Sequence, residues 1–346
     1  MGRPMMKALV FNGKEDLRLA EVAVPKPARD EALIRVRACG ICGSDVHGYL
    51  GITGRRLPPM IMAHEFSGEI VEVGADVTDF RVGDRVVPYP VIFCGDCEPC
   101  RRGDVHLCQH KRALGVLACD GAMAEYIAVP TKVLFRLAEP ISFDVGAMME
   151  PLAVAYRAIN HAGDLTGKSI LVVGAGTIGL LALALVKMRN PAKIFVSDLS
   201  DTRLAVAKTM GADEVVNPSN CAVDAFVRSA TDQVGVDVAI EAVGATPTVQ
   251  QAMSCLRTGG TAVWIGNSAK MITVNMQEVV TRELQVIGSF LYAFEEFGDV
   301  VEILNRGELD VEPVISLRVP MMEKGIDLFA KLASDPGPLI KVILNN

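Results

Sequence analysis

The segment "KSILVVGAGTIGLLALALVKM", residues 168–188, passes from an apolar run through a glycine-rich turn into a second apolar run. The first run has the length of a buried strand, and the second has the length of a helix. A Gly-x-Gly-x-x-Gly pattern alone is weak evidence in a chain with 31 glycines. Here the pattern follows a strand and opens a helix, the context in which it binds a dinucleotide pyrophosphate.

Each glycine of this turn has a physical task. Gly174 allows the tight turn, Gly176 lets backbone amides approach a pyrophosphate, and Gly179 allows close packing of helix on strand. Thr177 and Ile178 lie between the last two glycines, at the start of the predicted helix. We expect all five positions to contact a dinucleotide cofactor.

An acidic residue is expected about 20 residues further on, where it binds the ribose hydroxyls of the adenosine. Asp198 ends the next strand-like run, "KIFVSD". Its carboxylate would repel a 2′-phosphate, so the sequence predicts NAD rather than NADP. Arg203 has two interpretations, a contact with the adenine or ribose and a solvated charge on a helix.

Strand-like and helical stretches alternate beyond this point. Ser200 is a predicted N-cap and Gly211 a predicted helix end, and a later helix is predicted over Pro247–Arg257. This βαβ alternation predicts a parallel sheet with helices on both faces. Residues 1–150 instead hold short alternating apolar segments separated by Gly and Pro, which predict an irregular β-barrel-like domain.

The composition limits the classes of partner. The chain has 346 residues, enough for about two domains. Hydrophobic residues make up 50% and the net charge is -7, so we expect a globular protein without a nucleic-acid or membrane partner. We see no signal peptide and no apolar run near the ~20 residues of a membrane span. Nine cysteines, mostly scattered, suit a reducing compartment, so we expect a cytoplasmic location.

Four of the cysteines lie in one polar loop. The segment "CGDCEPCRRGDVHLC" contains Cys94, Cys97, Cys100 and Cys108. Disulfides within "CGDCEPC" would close very small strained loops, and the spacing matches neither an iron–sulfur run nor a single redox pair. Four thiolates at short spacing match a closed tetrahedral zinc site. We therefore predict a structural zinc, with four unliganded surface thiols as the alternative.

A second group of possible ligands lies nearer the N-terminus. The segments "ACGICGSDVHGY" and "MIMAHEFSGEIVEVG" supply Cys42, Ser44, Asp45, His47, His64 and Glu65. A catalytic zinc takes three protein ligands and keeps one position open. From the residues alone the set is only suggestive, since a single Cys or His beside an apolar stretch is more often packed in a core.

Taken together, these motifs resemble the zinc-dependent medium-chain alcohol dehydrogenases, and most closely their sorbitol and polyol dehydrogenase branch. "GICGSDVH" and "HEFSGEIVEVG" resemble the two catalytic zinc loops, and the four-cysteine segment resembles the structural-zinc lobe. "GAMMEPLAV" resembles the segment that closes the site, and "VVGAGTIGLL" with "SDLSDTR" the NAD site. The likeness covers essentially the whole chain.

The resemblance implies a doubly wound parallel-sheet (Rossmann) nucleotide domain inserted in a GroES-like β-barrel catalytic domain. We expect the catalytic domain over residues 1–153, with the structural-zinc lobe at about 90–112. The NAD-binding domain is expected over 154–291, and residues 292–346 return to the catalytic domain. A homotetramer or homodimer is also implied.

The resemblance implies two zinc ions per chain and assigns the ligands of the catalytic one. Cys42 and His64 are expected to bind it. Glu65 is a direct ligand or a second carboxylate close by. Glu150, in "MEPL", holds the ion directly or through its water, where simpler alcohol dehydrogenases have a cysteine. Asp45 is expected to orient His64 by accepting its second ring proton, with a turn cap as the alternative.

Proton transfer and cofactor contacts are implied as well. Ser44 stands where the family places a hydroxyl against the substrate oxygen. His47 stands where a relay histidine leads the proton to water, with a plain surface histidine as the alternative. Two later segments are implied cofactor contacts: Ile265, Gly266 and Asn267, and Ser289, Phe290 and Leu291.

Several positions depart from the family pattern or stay open. Ala63 replaces the glycine usual before the histidine, a change expected only to tighten the pocket. Leu291 stands where many sorbitol dehydrogenases have an arginine that reaches substrate hydroxyls, which argues against sorbitol itself. Arg55 and Arg56 lie between the zinc loops; the favoured interpretation is a solvated loop, and the other is contact with a substrate phosphate or carboxylate.

The expected activity is transfer of hydride from a secondary alcohol of a polyol or sugar derivative to NAD, giving a ketone. Alternatives are a polyol-phosphate dehydrogenase of the galactitol-1-phosphate type and an L-threonine-like amino-alcohol dehydrogenase, which the "MEPL" glutamate disfavours. A catalytically silent NAD-binding sensor or structural protein is the non-enzyme alternative, against which the intact ligand set and Ser44 argue.

Overall fold

The structure is a computed structural model that describes residues 4–335 and 337–346. Its internal contacts divide the chain into two units. The first contains the chain up to Glu150, together with Ala293–Glu308 and Ile315–Asn346. The second contains Pro151–Tyr292 and Leu309–Val314. Most of the segment after Tyr292 therefore belongs to the same unit as the N-terminal part of the chain.

The described residues form strands and helices that are numbered separately in chain order. The strands are β1 (Met5–Gly13), β2 (Asp16–Ala23), β3 (Glu31–Ile41), β4 (Met60–Ile61), β5 (Glu65–Val73), β6 (Arg85–Pro88), β7 (Val91–Ile92), β8 (Arg112–Ala113), β9 (Tyr126–Pro130), β10 (Leu134–Arg136), β11 (Ser169–Val173), β12 (Lys193–Ser197), β13 (Glu214–Val216), β14 (Val236–Glu241), β15 (Leu256–Trp264), β16 (Gln285–Gly288), β17 (Ile315–Pro320) and β18 (Lys341–Asn345). The helices are α1 (Gly43–Tyr49), α2 (Glu98–Arg101), α3 (Phe143–Ala147), α4 (Met149–His161), α5 (Thr177–Lys187), α6 (Asp201–Thr209), α7 (Val223–Ser229), α8 (Thr246–Cys255), α9 (Met276–Thr281), α10 (Phe294–Asn305) and α11 (Met321–Ser334). Short 3-10 helices span Val105–Leu107, Thr131–Val133 and Glu312–Val314.

The first unit is built mainly of sheets. A seven-stranded sheet has the order β10-β6-β5-β3-β18-β17, with β9 also paired to β3. A three-stranded sheet has the order β2-β1-β4, and β7 pairs with β8. Register shifts interrupt the pairing of β3 with β5, and such irregularities bend a sheet. The short alternating apolar segments of the sequence thus form the bent, barrel-like sheets that they predict.

The C-terminal strand lies inside the seven-stranded sheet. β18 pairs antiparallel with β3, with Val342 opposite Ile41, and parallel with β17. Ile343 and Leu344 are completely buried. The end of the chain therefore lies beside the end of β3, where the first zinc-ligand loop of the sequence begins.

The second unit contains a six-stranded sheet in the order β13-β12-β11-β14-β15-β16. Every adjacent pair is parallel. This is the strand order of the doubly wound dinucleotide-binding fold, as predicted. The strand order reverses at β11, and in such sheets ligands bind outside the carboxyl ends of the strands at that point. The glycine turn begins there.

Burial in this unit explains the apolar runs of the sequence. Leu171 and Val172 of β11 are fully buried, and in α5 every residue from Gly179 to Val186 is buried. A parallel sheet covered on both faces needs such continuous apolar strands. Among the described residues, we find no helix with the length and apolarity that a membrane crossing requires.

The predicted helix ends in this unit are mostly correct. Ser200 caps α6 by accepting a hydrogen bond from the backbone N–H of Arg203, and Gly211 follows the helix with a φ of 105°. The helix predicted over Pro247–Arg257 ends earlier, at Cys255. Leu256 already belongs to β15, because it pairs with β14.

Candidate active site and metal centres

The four cysteines of the polar loop converge. The Sγ atom of Cys108 lies 3.5 Å from that of Cys94 and 3.8 Å from that of Cys97. The Sγ atoms of Cys94 and Cys100 are 3.9 Å apart. A tetrahedral zinc with Zn–S bonds of about 2.3 Å holds its sulfurs about 3.8 Å apart, whereas a disulfide needs about 2.05 Å. All nine cysteines are free thiols, and these four fit a zinc ion.

Two of these thiols have shifted pKa values. The backbone N–H of Gln109 lowers the pKa of the Cys97 thiol to about 6, whereas burial raises the pKa of Cys100 to about 12. Cysteines bind metals as thiolates, so a cation displaces the protons that such thiols would otherwise keep. The ends of the lobe are joined where β7 pairs with β8, with Ile92 opposite Arg112.

The first catalytic loop is the start of a helix. β3 ends at Ile41, and Cys42 is the N-cap of α1. The Sγ of Cys42 accepts a hydrogen bond from the N–H of Ser44 at 3.5 Å, and the Asp45 carboxylate accepts one from the N–H of Cys42 at 3.1 Å. This reciprocal cap fixes the direction of the Cys42 side chain. Ser44 and His47, both half-buried, lie on the same short helix.

His64 and Glu65 enter the site at the start of β5. Ala63, just before them, has a φ of 80°, in the left-handed region that a Cβ atom disfavours. The effect of this alanine is therefore on the backbone, and the expectation of a merely tighter pocket is wrong. Gly115 and Gly121 pack so closely on the Ala63 backbone that a Cβ on either would clash.

The ligand atoms of Cys42, His64 and Glu65 lie within 4.8 Å of one another. A thiolate, an imidazole and a carboxylate form a typical donor set for zinc. Glu150 is buried at the start of α4 and near enough to raise the pKa of His64, but it lies outside this cluster. Three of the four predicted ligands are thus brought together, with the fourth beside them.

Charged groups are buried around the cluster, where an unpaired charge is costly. Three are carboxylates and two are cations, and each exposes at most 6% of its surface: Asp45, Glu65, Glu150, Arg56 and Lys341. With Cys42 as a thiolate and His64 as a neutral imidazole, the forms in which they bind a metal, the negative charges exceed the positive ones by two. A divalent cation would balance this excess, so the charge set fits Zn²⁺.

Asp45 does not form the predicted hydrogen bond with His64. The Asp45 Oδ1 atom lies 3.7 Å from the His64 Nδ1 atom, beyond hydrogen-bond distance. Burial lowers the pKa of His64, but Asp45, with Cys42 and Glu150, outweighs burial and raises the pKa to about 10. Asp45 therefore acts on His64 by charge, while its hydrogen bonds go to the helix cap and to Arg56.

Lys341 belongs to the site and was missed from the sequence. Its Nζ donates to both carboxylate oxygens of Glu65, at 2.9 and 2.6 Å, and to the Ile41 carbonyl at 3.1 Å. Burial lowers the pKa of Lys341, but the charge of Glu65 and its hydrogen bond outweigh burial and raise it. The available signal was a lysine inside the apolar C-terminal run "LIKVIL".

Arg56 is the second buried cation beside the cluster. It is buried, so the solvated-loop interpretation is wrong for Arg56 and right for the exposed Arg55. The Nη2 of Arg56 donates to the Oδ1 of Asp45 at 2.6 Å and to the Oγ of Ser44 at 3.1 Å. Its position two residues before a Pro-Pro pair gave no sign of this burial.

In the second unit, the glycine turn has the geometry that a pyrophosphate requires. Gly174 has a φ of 97°, which glycine adopts without strain. A Cβ on Gly176, the N-cap of α5, would meet nothing within 4 Å, so open space faces this position. Gly179 packs so closely that a Cβ would clash with the Gly174 carbonyl. Thr177 and Ile178 form the first turn of α5 and are half-buried.

Asp198 directly follows β12 and lies beside the glycine turn. Its Oδ2 accepts a hydrogen bond from the N–H of Ala175 at 2.7 Å, and its Oδ1 accepts one from the N–H of Ser200 at 2.8 Å. Arg203 is half-buried in the first turn of α6. The carboxylate of Asp198 is thereby fixed at the crevice where the strand order reverses.

The remaining predicted cofactor contacts follow the last two strands of this sheet. Ile265, Gly266 and Asn267 follow β15, and Ser289, Phe290 and Leu291 follow β16. The N–H groups of Ile265 and Gly266 donate to the Glu241 carbonyl at the end of β14, and that of Ser289 donates to the Trp264 carbonyl. Because all these strands are parallel, both segments lie at the same edge of the sheet as the glycine turn.

Two family models match the chain. "Alcohol dehydrogenase GroES-like domain" matches residues 28–139, and "Zinc-binding dehydrogenase" matches residues 177–306. L-threonine 3-dehydrogenase of Pyrococcus horikoshii is 36% identical over 316 residues, which cover 90% of each chain. The chain belongs to the zinc-binding dehydrogenases. It is therefore an oxidoreductase whose substrate is a small-molecule alcohol, as the resemblance predicted.

Other zinc-binding dehydrogenases are similar over most of their length. Sorbitol dehydrogenase of Bacillus subtilis is 34% identical over 315 residues, covering 90% of this chain and 89% of that one. The structure of a zinc-binding dehydrogenase from Sinorhizobium meliloti, bound to NADP, has a TM-score of 0.92 at 32% identity and covers 99% of this chain and 100% of that one. The predicted fold, a Rossmann domain with a GroES-like domain, is confirmed.

Proposed function

We propose that the protein is a zinc- and NAD-dependent dehydrogenase that oxidises a secondary alcohol of a polyol or sugar derivative to a ketone. The observation that carries this proposal is the buried cluster of Cys42, His64 and Glu65, whose donors and charge excess fit a divalent cation. Zinc in this cluster supplies a Lewis acid that makes a bound alcohol more acidic, and NAD supplies the hydride acceptor.

The residues of the cluster have distinct roles in this proposal. Cys42 and His64 hold the ion together with Glu65, and Glu150 places a further carboxylate beside them. Lys341 restricts the movement of Glu65 through two hydrogen bonds. The four cysteines of the lobe hold a second, structural zinc.

Ser44 and His47 are proposed to move the proton that the alcohol loses. A serine hydroxyl can accept a proton on one lone pair while it donates its own to the next group. Ser44 lies two residues after Cys42, on the helix that Cys42 caps. His47, on the same helix, exchanges the proton with water.

The role of His47 has a direct test. His47→Ala is expected to slow alcohol oxidation at low pH more than at high pH, because hydroxide replaces the relay when it is abundant. The measurement is kcat for oxidation across the pH range in wild type and variant. An unchanged pH profile would remove His47 from the path.

Asp198 supports NAD over NADP. A carboxylate at the end of this strand binds two ribose hydroxyls and repels a 2′-phosphate. The proposed cofactor contacts are the glycine turn, Asp198, Arg203 and the segments 265–267 and 289–291. Residues 154–291 are accordingly proposed as the NAD-binding domain, and residues 1–153 with 292–346 as the catalytic domain.

The substrate class is proposed to be a polyol, because Glu150 stands where polyol dehydrogenases have a glutamate. An amino alcohol such as L-threonine is the second candidate, since a threonine dehydrogenase is among the similar proteins. A polyol phosphate is less well supported, because the guanidinium of Arg56 already pairs with Asp45. Leu291 argues against sorbitol itself.

We also propose a homodimer or homotetramer in the cytoplasm. β16 is an edge strand of the parallel sheet, and edge strands pair readily with a second chain. Val286 of this strand exposes apolar surface, and so do Met276 and Val280 of the preceding helix α9. Nine free thiols favour a reducing compartment.

The decisive experiment offers a panel of polyols, polyol phosphates and L-threonine with NAD or NADP, and follows nicotinamide absorbance. We expect oxidation of one polyol with NAD and two zinc ions per chain by metal analysis. Faster turnover with NADP than with NAD would contradict the role of Asp198. Absence of any alcohol oxidation by the zinc-loaded protein would contradict the proposed function.

A further inference from the structure

We propose that Arg56 is a positioning residue for this reaction. Its buried guanidinium holds the Ser44 hydroxyl and the Asp45 carboxylate in fixed orientations beside Cys42 and His64. The inference rests on the proposed function, because it assumes that Ser44 contacts the oxygen of the substrate.

The burial of Arg56 is unusual for its place in the chain. Its side chain is 1% exposed, although Arg55 and Leu57 on either side of it are exposed. Its Nε atom is also buried and has no hydrogen-bond partner among the described residues. A buried guanidinium with an unused donor is costly, and a buried ion pair is weak evidence for a gain in stability. The burial of Arg56 therefore indicates a functional role at the site.

Helix α1 leaves room for this side chain. A Cβ on Gly48 would clash with the Cδ of Arg56 and lie 2.9 Å from its Nε. Gly48 is buried within α1, where glycine is among the least favourable residues for a helix. The glycine keeps the space through which Arg56 reaches Ser44 and Asp45.

The contact with Ser44 fixes the role of its hydroxyl. A guanidinium can only donate hydrogen bonds, so the Oγ of Ser44 accepts the bond from Nη2 at 3.1 Å. One lone pair of the Oγ is thereby occupied, and the O–H of Ser44 points away from Arg56. The hydroxyl keeps one acceptor site and its own proton for the substrate oxygen and the relay. Such pre-orientation lowers the entropy cost of proton transfer.

The contact with Asp45 separates this carboxylate from His64. Nη2 lies 2.6 Å from the Asp45 Oδ1, the same oxygen that is 3.7 Å from the His64 Nδ1. Without the guanidinium, the carboxylate would be free to approach the imidazole, and the buried site would hold one more uncompensated negative charge. A cation at the site would then be retained at least as strongly as before.

The main test compares Arg56→Met with Arg55→Met, a matched loss of charge at the exposed neighbour. Using the zinc-loaded enzyme and its best substrate, we expect Arg56→Met to lower kcat about 10- to 100-fold with KM little changed. Arg55→Met should match wild type, and Arg56→Lys should recover part of the loss. In a Ser44→Ala background, Arg56→Met should have little further effect, because it acts through Ser44.

A second readout separates positioning from damage to the fold. Transfer of zinc to a chelating dye should be no faster from Arg56→Met than from wild type, whereas a disordered site would release the ion faster. Gly48→Ala offers an independent route, because it displaces Arg56 while it favours the helix. This variant is expected to lower kcat in the same direction, even if Arg56→Met folds poorly.

The outcomes distinguish the inference from the proposed function. If wild type oxidises no alcohol, both are overturned. If wild type is active and Arg56→Met behaves like Arg55→Met, only the inference is overturned. An equal loss of kcat with and without Ser44, or faster zinc release together with that loss, would also overturn it.

Discussion

The two candidate metal centres of this protein are assembled in different ways. The candidate structural centre takes its four thiols from a single loop between β7 and β8, and its sulfurs stand at the edge lengths of a zinc tetrahedron. The candidate catalytic centre takes Cys42 from the end of β3, His64 and Glu65 from the start of β5, and its cations from two further segments. A local site can thus be recognised from spacing, whereas a distributed site is recognised only in part.

The two sets of donors also suit different roles. Four thiolates complete a tetrahedral shell and leave no position for a substrate, so such a site holds its loop together. The cluster of Cys42, His64 and Glu65 has fewer donors and an excess of negative charge that a divalent cation balances. Three donors leave a tetrahedral shell one position short. Of the two buried cations, Lys341 holds Glu65, and Arg56 holds Ser44 and Asp45 beside the cluster.

The largest expected effect is the loss of activity when a cysteine ligand is removed from the catalytic centre rather than from the structural one. Cys42→Ala should lower alcohol oxidation by about 1,000-fold or more, since a Lewis acid contributes several kcal/mol to the reaction. Zinc should fall from two ions per chain to one. The matched variant Cys100→Ala should also lose one zinc ion, but with a lower melting temperature and with much of the activity retained.

The exposed Cys221 provides the control for these two variants. Cys221→Ser should keep both zinc ions, the activity and the melting temperature. If Cys42→Ala kept two zinc ions and full activity, or if Cys100→Ala abolished activity without loss of stability, the contrast between the centres would be wrong.

The next effect concerns the buried cation that supports Glu65. Lys341→Met should lower the free energy of unfolding by about 3–5 kcal/mol, because it leaves a carboxylate unpaired in the interior. Urea unfolding measures this loss. Adding Glu65→Gln to Lys341→Met should recover part of it, because the uncompensated charge is then removed.

Lys324 is exposed on α11 and serves as the matched control. Lys324→Met should stay within about 0.5 kcal/mol of wild type. A similar small change for Lys341→Met would mean that the Glu65–Lys341 pair does not hold the catalytic centre together.

The smallest effect concerns the backbone before His64. Ala63→Gly should raise the free energy of unfolding by about 0.5 kcal/mol, because relief of the left-handed strain slightly outweighs the entropy that glycine gains in the unfolded chain. Thermal unfolding at matched zinc loading tests this. A clear loss of stability would show that Ala63 is accommodated without strain.

Much of the fold was predictable because its signals are local. The glycine turn from Gly174 to Gly179 joins a strand to a helix within one segment, and the helix cap at Ser200 depends on its neighbours alone. The four-cysteine loop is local in the same way. These features follow from short-range geometry that the order of residues specifies directly.

The supporting charges of the catalytic centre were not predictable by the same reasoning. Lys341 reaches Glu65 only because β18 pairs with β3, a contact across 276 positions of the chain. Arg56 lies in the loop between α1 and β4, and its burial depends on the space beside Gly48. The left-handed φ of Ala63 belongs to a backbone on which Gly115 and Gly121 pack closely. Tertiary packing decides each of these, and no local pattern reports it.

Stepwise removal of zinc tests the central claim most directly. A chelator should take the ion from the partly open cluster of Cys42, His64 and Glu65 before it takes the ion enclosed by four thiolates. We expect activity to vanish as the first zinc ion leaves the folded protein and to return when zinc is added back. Full alcohol oxidation by folded protein from which that first ion has been removed would contradict the account.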